Sequence, residues 1–508
     1  MSSAPWLRRR HPPYARGREP VLSTIASIVR ATAQPPEGLR LAAPWLVVAG
    51  AALLAGSLAT GQADVWLGKT PALLLLGTVL GATFLVVFSF LGSLAVIVWP
   101  VAATGGFLLQ FPKGHAVITF DRLWIGGLLA YIALNHRRTE RTKDTRVLMF
   151  ALVLLVISFG LRALTTGGAS ITGPTATWID AIVLPTILFV ACERYSLLGA
   201  NRIRRLTGAL MIAGAVLGVI GIAERVLGFE LATATGGSVR FDAIIDQTRI
   251  SGPYPAPEPY ALSLIICFAA TLYWILSRKR GSRYGLALAL AGIQLTAIAL
   301  ALFRAGWIAA LVVVVASFGL RPGRFGRTFL VVGVAGVLGL AATSQLQQNK
   351  TIATRVNDTE NIYGRLATYK QGVEIFRSAP LFGVGVNRYH TVAETRPPEI
   401  VARVESVTYP HNSYIGLLAE QGLVGFLPLL LLSYGVWRLV RGLHAVSYRS
   451  ADAVILTATV AGATLGYLIM SLTLTMLPYE PSNAFLAAFL GAASGRLDLL
   501  ANEAPTSS

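Results

Sequence analysis

Charged residues and cysteines are scarce in this chain. Only 13% of its 508 residues are Asp, Glu, Lys or Arg, whereas soluble globular proteins average about 25%. Hydrophobic residues make up 54% of the chain, and the mean hydropathy is +0.62. This composition excludes a soluble enzyme, a disordered chain and a disulfide-stabilised secreted domain, and it predicts a polytopic membrane protein. Cys192 and Cys267 lie in separate apolar stretches, so both are interpreted as packing residues.

Motifs for nucleotides and metals are also missing. Gly68-Lys69-Thr70 resembles the end of a phosphate-binding loop, but the glycine required five residues before Gly68 is replaced by Ala63. No HExxH motif, cysteine pair or Asp-x-Asp motif is present, so neither a zinc site nor a metal-held nucleotide sugar is indicated. The sequence therefore predicts no cofactor, no metal site and no nucleic-acid partner.

Uncharged runs long enough to cross a membrane recur along the chain. A hydrocarbon core about 30 Å thick needs roughly 20 apolar residues of helix. The run from Pro71 to Phe111 is long enough for two spans with a turn near Phe90 to Gly92. We therefore predict an all-α, polytopic integral membrane protein with about 12 to 14 transmembrane helices. The other predicted spans start near residues 41, 118, 147, 177, 206, 259, 284, 305, 328, 413, 453 and 482.

Basic residues alternate between successive loops. The formal charge is +19, with 43 Lys and Arg against 24 Asp and Glu, and Lys and Arg in short loops mark the cytoplasmic side. The basic loops are 137–146, 194–205, 278–283, 321–327 and 438–449, whereas the short loops at 61–70, 165–175 and 476–480 share one lysine. We therefore expect both termini inside. The predicted organisation is a basic cytoplasmic tail (1–40), transmembrane helices (41–343) with an external loop (229–258), a large external loop domain (344–412), C-terminal transmembrane helices (413–497) and a cytoplasmic tail (498–508).

The two long external loops are rich in ionisable groups. In the loop 229–258, the proline-rich run 252–259 predicts an extended path rather than a helix. In the large loop, Arg365 to Ser378 carries apolar residues near helical period, among them Leu366 and Val373, which predicts an amphipathic helix on the membrane surface. Arginines outside a membrane commonly bind anions, because guanidinium matches phosphate oxygens in bidentate fashion.

Arg304 separates two apolar runs, and only Ala305-Gly306 is available as a turn. It is predicted to lie at the external membrane boundary and to face a protein interior or an aqueous cavity with a partner. The alternative is that its side chain snorkels to the outer headgroups. That snorkelling interpretation is preferred for Arg122, Arg162 and Arg225, because each adjoins an ordinary helix end.

Two histidines, His390 and His411, fall in the large external loop. His411 directly precedes a predicted span, with Asn412 or Ser413 available as the helix N-cap. An imidazole fixed at the membrane face near arginines suits a general base, although an interfacial histidine is also a plain polar anchor. Glu420, two turns further on, is expected to pair with a neighbouring helix.

Five short motifs in the second half of the chain resemble those of one family. They are RISGPY (249–254), FRAGW (303–307), GRLATY (364–369), LFGVGVNRY (381–389) and HNSYIGLLAEQG (411–422). In order and sidedness they resemble the O-antigen ligase and Wzy-type polymerase superfamily, over roughly residues 249–426. The earlier helices agree with that superfamily only in topology.

The resemblance implies a glycosyltransferase of the bacterial cytoplasmic (inner) membrane whose active site faces the periplasm. Such enzymes transfer a glycan from a polyprenyl diphosphate carrier to an acceptor hydroxyl, in lipopolysaccharide or exopolysaccharide biosynthesis. Carried over, His411 is the catalytic base, and Arg249, Arg304 and Arg365 bind the donor diphosphate. The family often has a small or hydroxyl residue where this chain has Phe303.

The implied partners are a polyprenyl diphosphate-linked glycan donor, a glycan or lipid acceptor, and membrane lipid. Arginines can stabilise the leaving diphosphate without a metal, and attack opposite the diphosphate inverts the anomeric centre. A histidine with an ordinary pKa near 6.5 can take the acceptor proton at neutral pH. Two alternatives stay open: a transporter of an anionic solute that binds the same arginines, and a non-catalytic scaffold of an envelope complex.

Overall fold

The computed structural model of the protein describes most residues between 86 and 503. The described residues are 86, 88, 90–111, 118–134, 140–167, 173–228, 231, 241–242, 247–277, 283–319, 360–395 and 409–503. The predicted tail 1–40, the span near residue 41, most of the span from residue 71 and the span near residue 328 lie outside them.

Helices dominate the described residues. They are α1 (Ser93–Ala103), α2 (Phe120–Leu134), α3 (Lys143–Gly167), α4 (Pro174–Trp178), α5 (Leu184–Leu197), α6 (Ala200–Leu227), α7 (Pro257–Leu276), α8 (Tyr284–Leu300), α9 (Arg304–Gly319), α10 (Glu360–Ser378), α11 (Tyr389–Thr395), α12 (Ser413–Ala445), α13 (Ala451–Thr473) and α14 (Glu480–Asn502). A π-helical turn, Ile179–Val183, joins α4 to α5. Two-residue strands pair antiparallel, β1 (Gln110–Phe111) with β2 (Ile118–Thr119) and β3 (Phe241–Asp242) with β4 (Gln247–Thr248).

Seven helical segments in the described residues are long and apolar enough to cross a membrane. They are α3, α4 joined to α5, α6, α7, α12, α13 and α14, and α1, α8 and α9 are shorter apolar helices. This confirms the predicted all-α, polytopic membrane fold, and the described helices begin within a few residues of the predicted starts. The turn predicted near Phe90 to Gly92 is present, since Gly92 has a φ of 51° directly before α1.

The helix α7 lies at the centre of the bundle. Its residues from Pro257 to Ile275 are buried almost without interruption, and it packs against α6, α8, α9, α13 and α14. Small residues permit this close packing: a β-carbon on Gly214 of α6 would lie 2.5 Å from Cβ of Cys267. Both cysteines are fully buried, as expected of packing residues. The helix starts two residues before the predicted span start at 259, because Pro257 occupies a first-turn position where its missing N–H costs nothing. The extended path predicted for 252–259 is therefore wrong for its last three residues.

Ion pairs gather several helix ends at one end of the bundle, here called the basic end. At this end, the loop before α3 contacts α5 and α14, the first turn of α3 contacts α12, and α6 contacts α13. The contacts are Arg141 Nε to Glu193 (2.7 Å), Arg438 Nε to Asp144 (2.7 Å), Arg204 Nη2 to Asp452 (2.6 Å) and the Thr142 amide to Asp498 (2.9 Å). The arginines of the three ion pairs, Arg141, Arg204 and Arg438, lie in the loops 137–146, 194–205 and 438–449 that the sequence predicts to be cytoplasmic. The opposite end, here called the loop end, holds residues 250–256, 301–303, 410–412 and 474–479.

Candidate functional site

Two of the sequence motifs interlock through their backbones at the loop end. Gly422 breaks α12 with a φ of 61° and a ψ of −160°, and the segment 419–424 is here called the kink. The loop 380–386 runs alongside it, so close that a β-carbon on Gly422 or Gly383 would collide with the facing backbone. Four backbone hydrogen bonds join the two: Val384 N to Ala419 O (2.9 Å), Gly385 N to Glu420 O (2.8 Å), Leu423 N to Pro380 O (2.9 Å) and Val424 N to Leu381 O (3.1 Å).

His411 sits two residues before α12 in a strained backbone conformation. Its φ is 45°, a left-handed region that costs an L-residue roughly 1–2 kcal/mol. The phenol oxygen of Tyr369 lies 3.4 Å from its carbonyl oxygen and 2.8 Å from that of Leu472. The peptide of His411 is therefore held between α10 and the last turn of α13, and such strain is typical of functional sites.

The two residues after His411 are anchored as well. Asn412 Oδ1 accepts hydrogen bonds from the amides of Tyr414 (2.9 Å) and Ile415 (3.1 Å), which makes it the N-cap of α12. Its Nδ2 donates to the Leu472 carbonyl at 3.1 Å. Ser413 donates to the Leu474 carbonyl at 2.9 Å. The prediction that Asn412 or Ser413 caps the helix is confirmed for Asn412.

Arg365 lies on the same face of α10 as Tyr369, one helical turn earlier, and is half-buried. The structure therefore brings Arg365 and His411 to the same side of α10. The predicted helix is present, and protein leaves Leu366 54% and Val373 36% exposed on it. Its position on a membrane surface stays a prediction. The face buried in the protein consists of Gly364, Ala367, Thr368, Gln371, Gly372 and Ile375, and it packs against α12.

Arg304 is the first residue of α9, and its side chain is exposed. It makes no hydrogen bond or ion pair with the residues that the structure describes. The turn precedes it, at residues 301–303 with Leu302 at a φ of 49°, so the prediction of a turn at 305–306 is wrong. Phe303 is buried and packs over Gly306.

The packing of α9 on α13 sets the level of Arg304 in the bundle. A β-carbon on Gly462 would lie 3.0 Å from the Val313 Cα, and one on Gly466 would lie 3.5 Å from the Ala309 Cβ. The two helices are therefore antiparallel. Continued along both helices, this register places Arg304 at the level of Ser471 along the helix axes. Arg304 thus lies level with Leu472, the residue whose carbonyl oxygen accepts from Tyr369 and Asn412.

Arg249, by contrast, already has an acidic partner. Its Nη1 lies 3.9 Å from Glu258 Oε1, and the two side chains are only 14% and 6% exposed. The following turn is held by Glu224, whose Oε2 accepts from the amides of Ser251 (3.1 Å) and Gly252 (2.8 Å). The pair lies at the loop end of α7, and its charge is balanced within the protein.

Arg122 and Arg162 do not snorkel as predicted, because each has protein partners. Arg122 Nε and Nη2 donate to the two carboxylate oxygens of Asp180, both at 2.7 Å. Arg162 Nε and Nη2 donate to the carbonyls of Phe382 and Gly383, both at 2.6 Å. Both partners are distant in sequence, so helix-end position alone could not reveal them.

A cavity of about 460 Å³, here called the polar cavity, opens beside His411. Pro410 and Ser413, on either side of the His411–Asn412 pair, line it, together with residues of α11, α12 and the segment 475–478. His411 itself is outside the lining. The polar groups of the lining include Asn387, His390, Tyr409, Glu420, Gln421 and Thr475.

Glu420 fixes α11 at the rim of the polar cavity. Its Oε1 accepts from the amide of Tyr389, the first residue of α11, at 3.1 Å. The partner that the sequence predicted for Glu420 is therefore a short helix of the external loop. The Tyr389 hydroxyl donates to the Thr368 carbonyl at 3.2 Å. Burial, and then the nearby Glu420, raise the pKa of Tyr389 above its usual range, so this phenol keeps its proton.

A second, apolar groove of about 390 Å³ runs between α3, α5, α12, α13 and α14. It extends from Leu148 and Val440, nearer the basic end, to Leu477 at the loop end. Leu477 lines both this apolar groove and the polar cavity, so the two spaces adjoin. Trp437 and Leu465 line the groove and are 50% and 47% exposed, so it opens at the side of the bundle.

Sequence reasoning missed several uncharged polar residues of this site, notably Tyr369, Gln421 and Thr475. Tyr369 and Gln421 stand inside the quoted motifs, but a neutral side chain gives no charge signal, and its partners come from distant segments. No group of three or more metal-ligating side chains occurs among the described residues.

Comparison with known families identifies the segment that holds most of this site. Residues 286–430 match the family model described as O-antigen ligase, Wzy_C. No curated protein matches the chain. The matched segment includes Arg304, Arg365, His411 and the kink, whereas Arg249 precedes it. Over residues 286–430 the chain is thus similar to the O-antigen ligase family, which confirms the predicted resemblance for that segment.

Proposed function

We propose that the protein is a membrane glycosyltransferase of the O-antigen ligase or polymerase type. It transfers a glycan from a polyprenyl diphosphate carrier to an acceptor hydroxyl on the outer face of the cytoplasmic membrane. The observation that supports the proposal is the strained peptide of His411, which contacts Tyr369 one turn from Arg365. It lies at the level of Arg304, whose side chain has no partner among the described residues. An imidazole and two guanidinium groups thus belong to the same end of the bundle.

The arginines are assigned to the diphosphate of the donor. Arg304 suits this role best, because its charge is not balanced by any described side chain and it stands at the start of α9, where the helix dipole also favours an anion. Arg365 lies on α10, one helical turn before Tyr369, and is assigned the same role. Arg249 is assigned a weaker part, since Glu258 already balances its charge.

His411 is assigned the role of general base. The acceptor hydroxyl gives its proton to the imidazole, and its oxygen forms a bond to the anomeric carbon of the donor sugar. The bond from that carbon to the diphosphate oxygen breaks, and the electron pair leaves with the polyprenyl diphosphate, where arginine charge stabilises it. Attack on the face opposite the leaving group gives an inverting transfer without a metal ion.

The apolar groove supports the part of the proposal that concerns lipid. It opens at the side of the bundle, as the entry of a polyprenyl chain requires, and it reaches the loop end at Leu477. A groove of this size lined mainly by apolar side chains is typical of a site for an apolar ligand.

The test is glycan transfer from a defined lipid-linked oligosaccharide in vesicles that contain the full chain. We expect His411→Ala to lower the rate by about 100-fold or more, the usual contribution of a positioned base, and Arg304→Ala to lower it strongly. Matched controls are His444→Ala and Arg441→Ala, exposed residues near the basic end that should leave transfer unchanged. Wild-type turnover by both folded site variants would refute the assigned roles.

Two further measurements separate the alternatives. Activity that is lost with a chelator and restored by Mg²⁺ or Mn²⁺ would show that the metal-independent mechanism is wrong. Flux of a labelled anion into the vesicles, with no glycan chemistry, would favour a transporter. An unchanged cell-surface phenotype in the His411→Ala strain would favour a scaffold.

A further inference from the structure

The polar cavity beside His411 is lined without a single lysine or arginine among the described residues. A diphosphate would need cationic partners, so the lining does not suit that part of the donor. Hydroxyl, amide, carboxylate and imidazole groups together offer both donors and acceptors of hydrogen bonds. Such a lining matches a neutral ligand with many hydroxyl groups.

Gln421 gives the cavity an unused pair of hydrogen-bonding groups. The residue is only 1% exposed, and neither its Oε1 nor its Nε2 has a hydrogen-bond partner among the described residues. The hydroxyl of Thr475, which lines the same cavity, is buried and unpartnered in the same way. Buried polar groups are nearly always paired, so three unmet atoms around one cavity indicate a ligand that completes them.

The position of Gln421 is set by the backbone rather than by polar partners. It directly precedes Gly422, whose positive φ bends α12 at the kink. Its side chain lies over Gly425, where a β-carbon would come within 2.6 Å of the Gln421 Oε1. The two glycines therefore leave room for the side-chain amide of Gln421. Its donor and acceptor atoms stay without hydrogen-bond partners among the described residues.

An aromatic pair also lines the cavity. The rings of Tyr409 and His390 are 6.0 Å apart at an interplanar angle of 71°, and Tyr409 is 53% exposed. His390 is oriented by Glu394, whose carboxylate lies 3.3 Å from its Nδ1. The exposed ring of Tyr409 can pack against the apolar C–H face of a sugar while the polar residues of the cavity bind its hydroxyl groups.

We infer that the polar cavity is a binding subsite for a neutral sugar ring, with Gln421 and Thr475 bonding its hydroxyl groups and Tyr409 covering its apolar face. The subsite is separate from the arginines and adjoins His411 through Pro410 and Ser413. The inference rests on the proposed function and names the substrate part that this cavity takes. The sugar belongs either to the donor glycan or to the acceptor, and the experiment distinguishes the two.

The first experiment measures binding without catalysis. Dodecyl glycosides with glucose, galactose, mannose or N-acetylglucosamine heads and a photoreactive group on the sugar are cross-linked to the full chain in nanodiscs, with photoreactive dodecanol as reference. We expect at least one glycoside to label peptides within 387–391 or 409–421 more than dodecanol does. Gln421→Ala should weaken that labelling by about tenfold, since one or two hydrogen bonds are lost. Glu374→Gln, on the exposed face of α10, is the matched control and should change nothing.

Thermal unfolding distinguishes a binding role from a structural one. Because the Gln421 side chain has no hydrogen-bond partner among the described residues, Gln421→Ala should keep or raise the melting temperature while it weakens labelling. A lowered melting temperature with unchanged labelling would mean that Gln421 only supports the fold, and would overturn the inference. Equal labelling by glycosides and dodecanol would overturn it too.

Steady-state kinetics then identify the source of the sugar. A Gln421→Ala effect on the KM of the donor alone assigns the ring to the donor glycan, and an effect on the KM of the acceptor alone assigns it to the acceptor. No change in either KM or in kcat would contradict the inference. If wild-type protein shows no transfer but binds glycosides as expected, the proposed function fails and the sugar subsite stands.

Discussion

Tyr369 joins α10 to the backbone of His411, with its phenol oxygen 3.4 Å from the His411 carbonyl oxygen. The same oxygen lies 2.8 Å from the Leu472 carbonyl at the end of α13. Through this one side chain, α10 and α13 together position His411, two residues before α12. The position of the proposed base thus depends on a residue that takes no part in proton transfer.

Tyr369→Phe is expected to lower glycan transfer by about tenfold, because the phenol loses its hydrogen bond to the Leu472 carbonyl, worth roughly 1 kcal/mol, and with it the contact that positions the His411 peptide. Transfer rates with saturating donor measure the effect. Tyr448→Phe removes the same hydroxyl from an exposed tyrosine near the basic end and should be silent. An equal loss in both variants would contradict a positioning role.

The backbone strain at His411 predicts that glycine at this position is more stable than alanine, although neither variant is active. His411→Gly should be more stable than His411→Ala by about 1 kcal/mol, because glycine adopts a φ of 45° without steric cost. Both variants should lose transfer. Chemical or thermal unfolding in the same detergent compares them, and a less stable glycine variant would show that the conformation is not strained.

Asn412 is expected to contribute to stability through two separate interactions. Asn412→Ala should destabilise the protein by about 1 kcal/mol through the lost N-cap, and more through the lost bond to Leu472. Asn412→Asp keeps the cap and removes only the Nδ2 donor, so it should lie between wild type and Asn412→Ala. Equal unfolding temperatures for all three would contradict the assigned cap.

The ion pair between Arg122 and Asp180 predicts an asymmetric response to substitution. Arg122→Leu leaves the carboxylate of Asp180 unpaired and should cost about 2 kcal/mol or more. The double variant Arg122→Leu with Asp180→Leu should recover part of that loss, because both polar groups are then removed. A double-mutant cycle of unfolding free energies measures the coupling, and purely additive losses would argue against the pair.

Local patterns predicted the helices well, and long-range contacts set the limit of that prediction. The start of α12 followed from Asn412 as N-cap, a signal carried by adjacent residues. The face of α10 that packs against α12 gave no signal in the sequence, because it includes the polar residues Thr368 and Gln371, and only the packing covers them. Arg162 was assigned to lipid headgroups because its carbonyl partners, at Phe382 and Gly383, are more than 200 residues away.

The candidate site shows the same division. Charge and motif order brought forward His411, Arg304 and Arg365, and the structure brings these to one end of the bundle. The polar cavity could not be foreseen, since it arises where the kink, α11 and the residues after α13 meet. The neutral residue Gln421 stands out only in the structure, where its buried side-chain amide has no hydrogen-bond partner among the described residues.

The four backbone hydrogen bonds between the loop 380–386 and the kink have a consequence for biogenesis. The loop emerges from the ribosome about forty residues before the kink does, and neither stretch has its native partner until the other is present. Both must therefore reach the same compartment, and a chain that threads α12 in the reverse sense cannot assemble this interface. Insertion of α12 in the correct direction is therefore required before the loop 380–386 can pair with the kink and the candidate site can form.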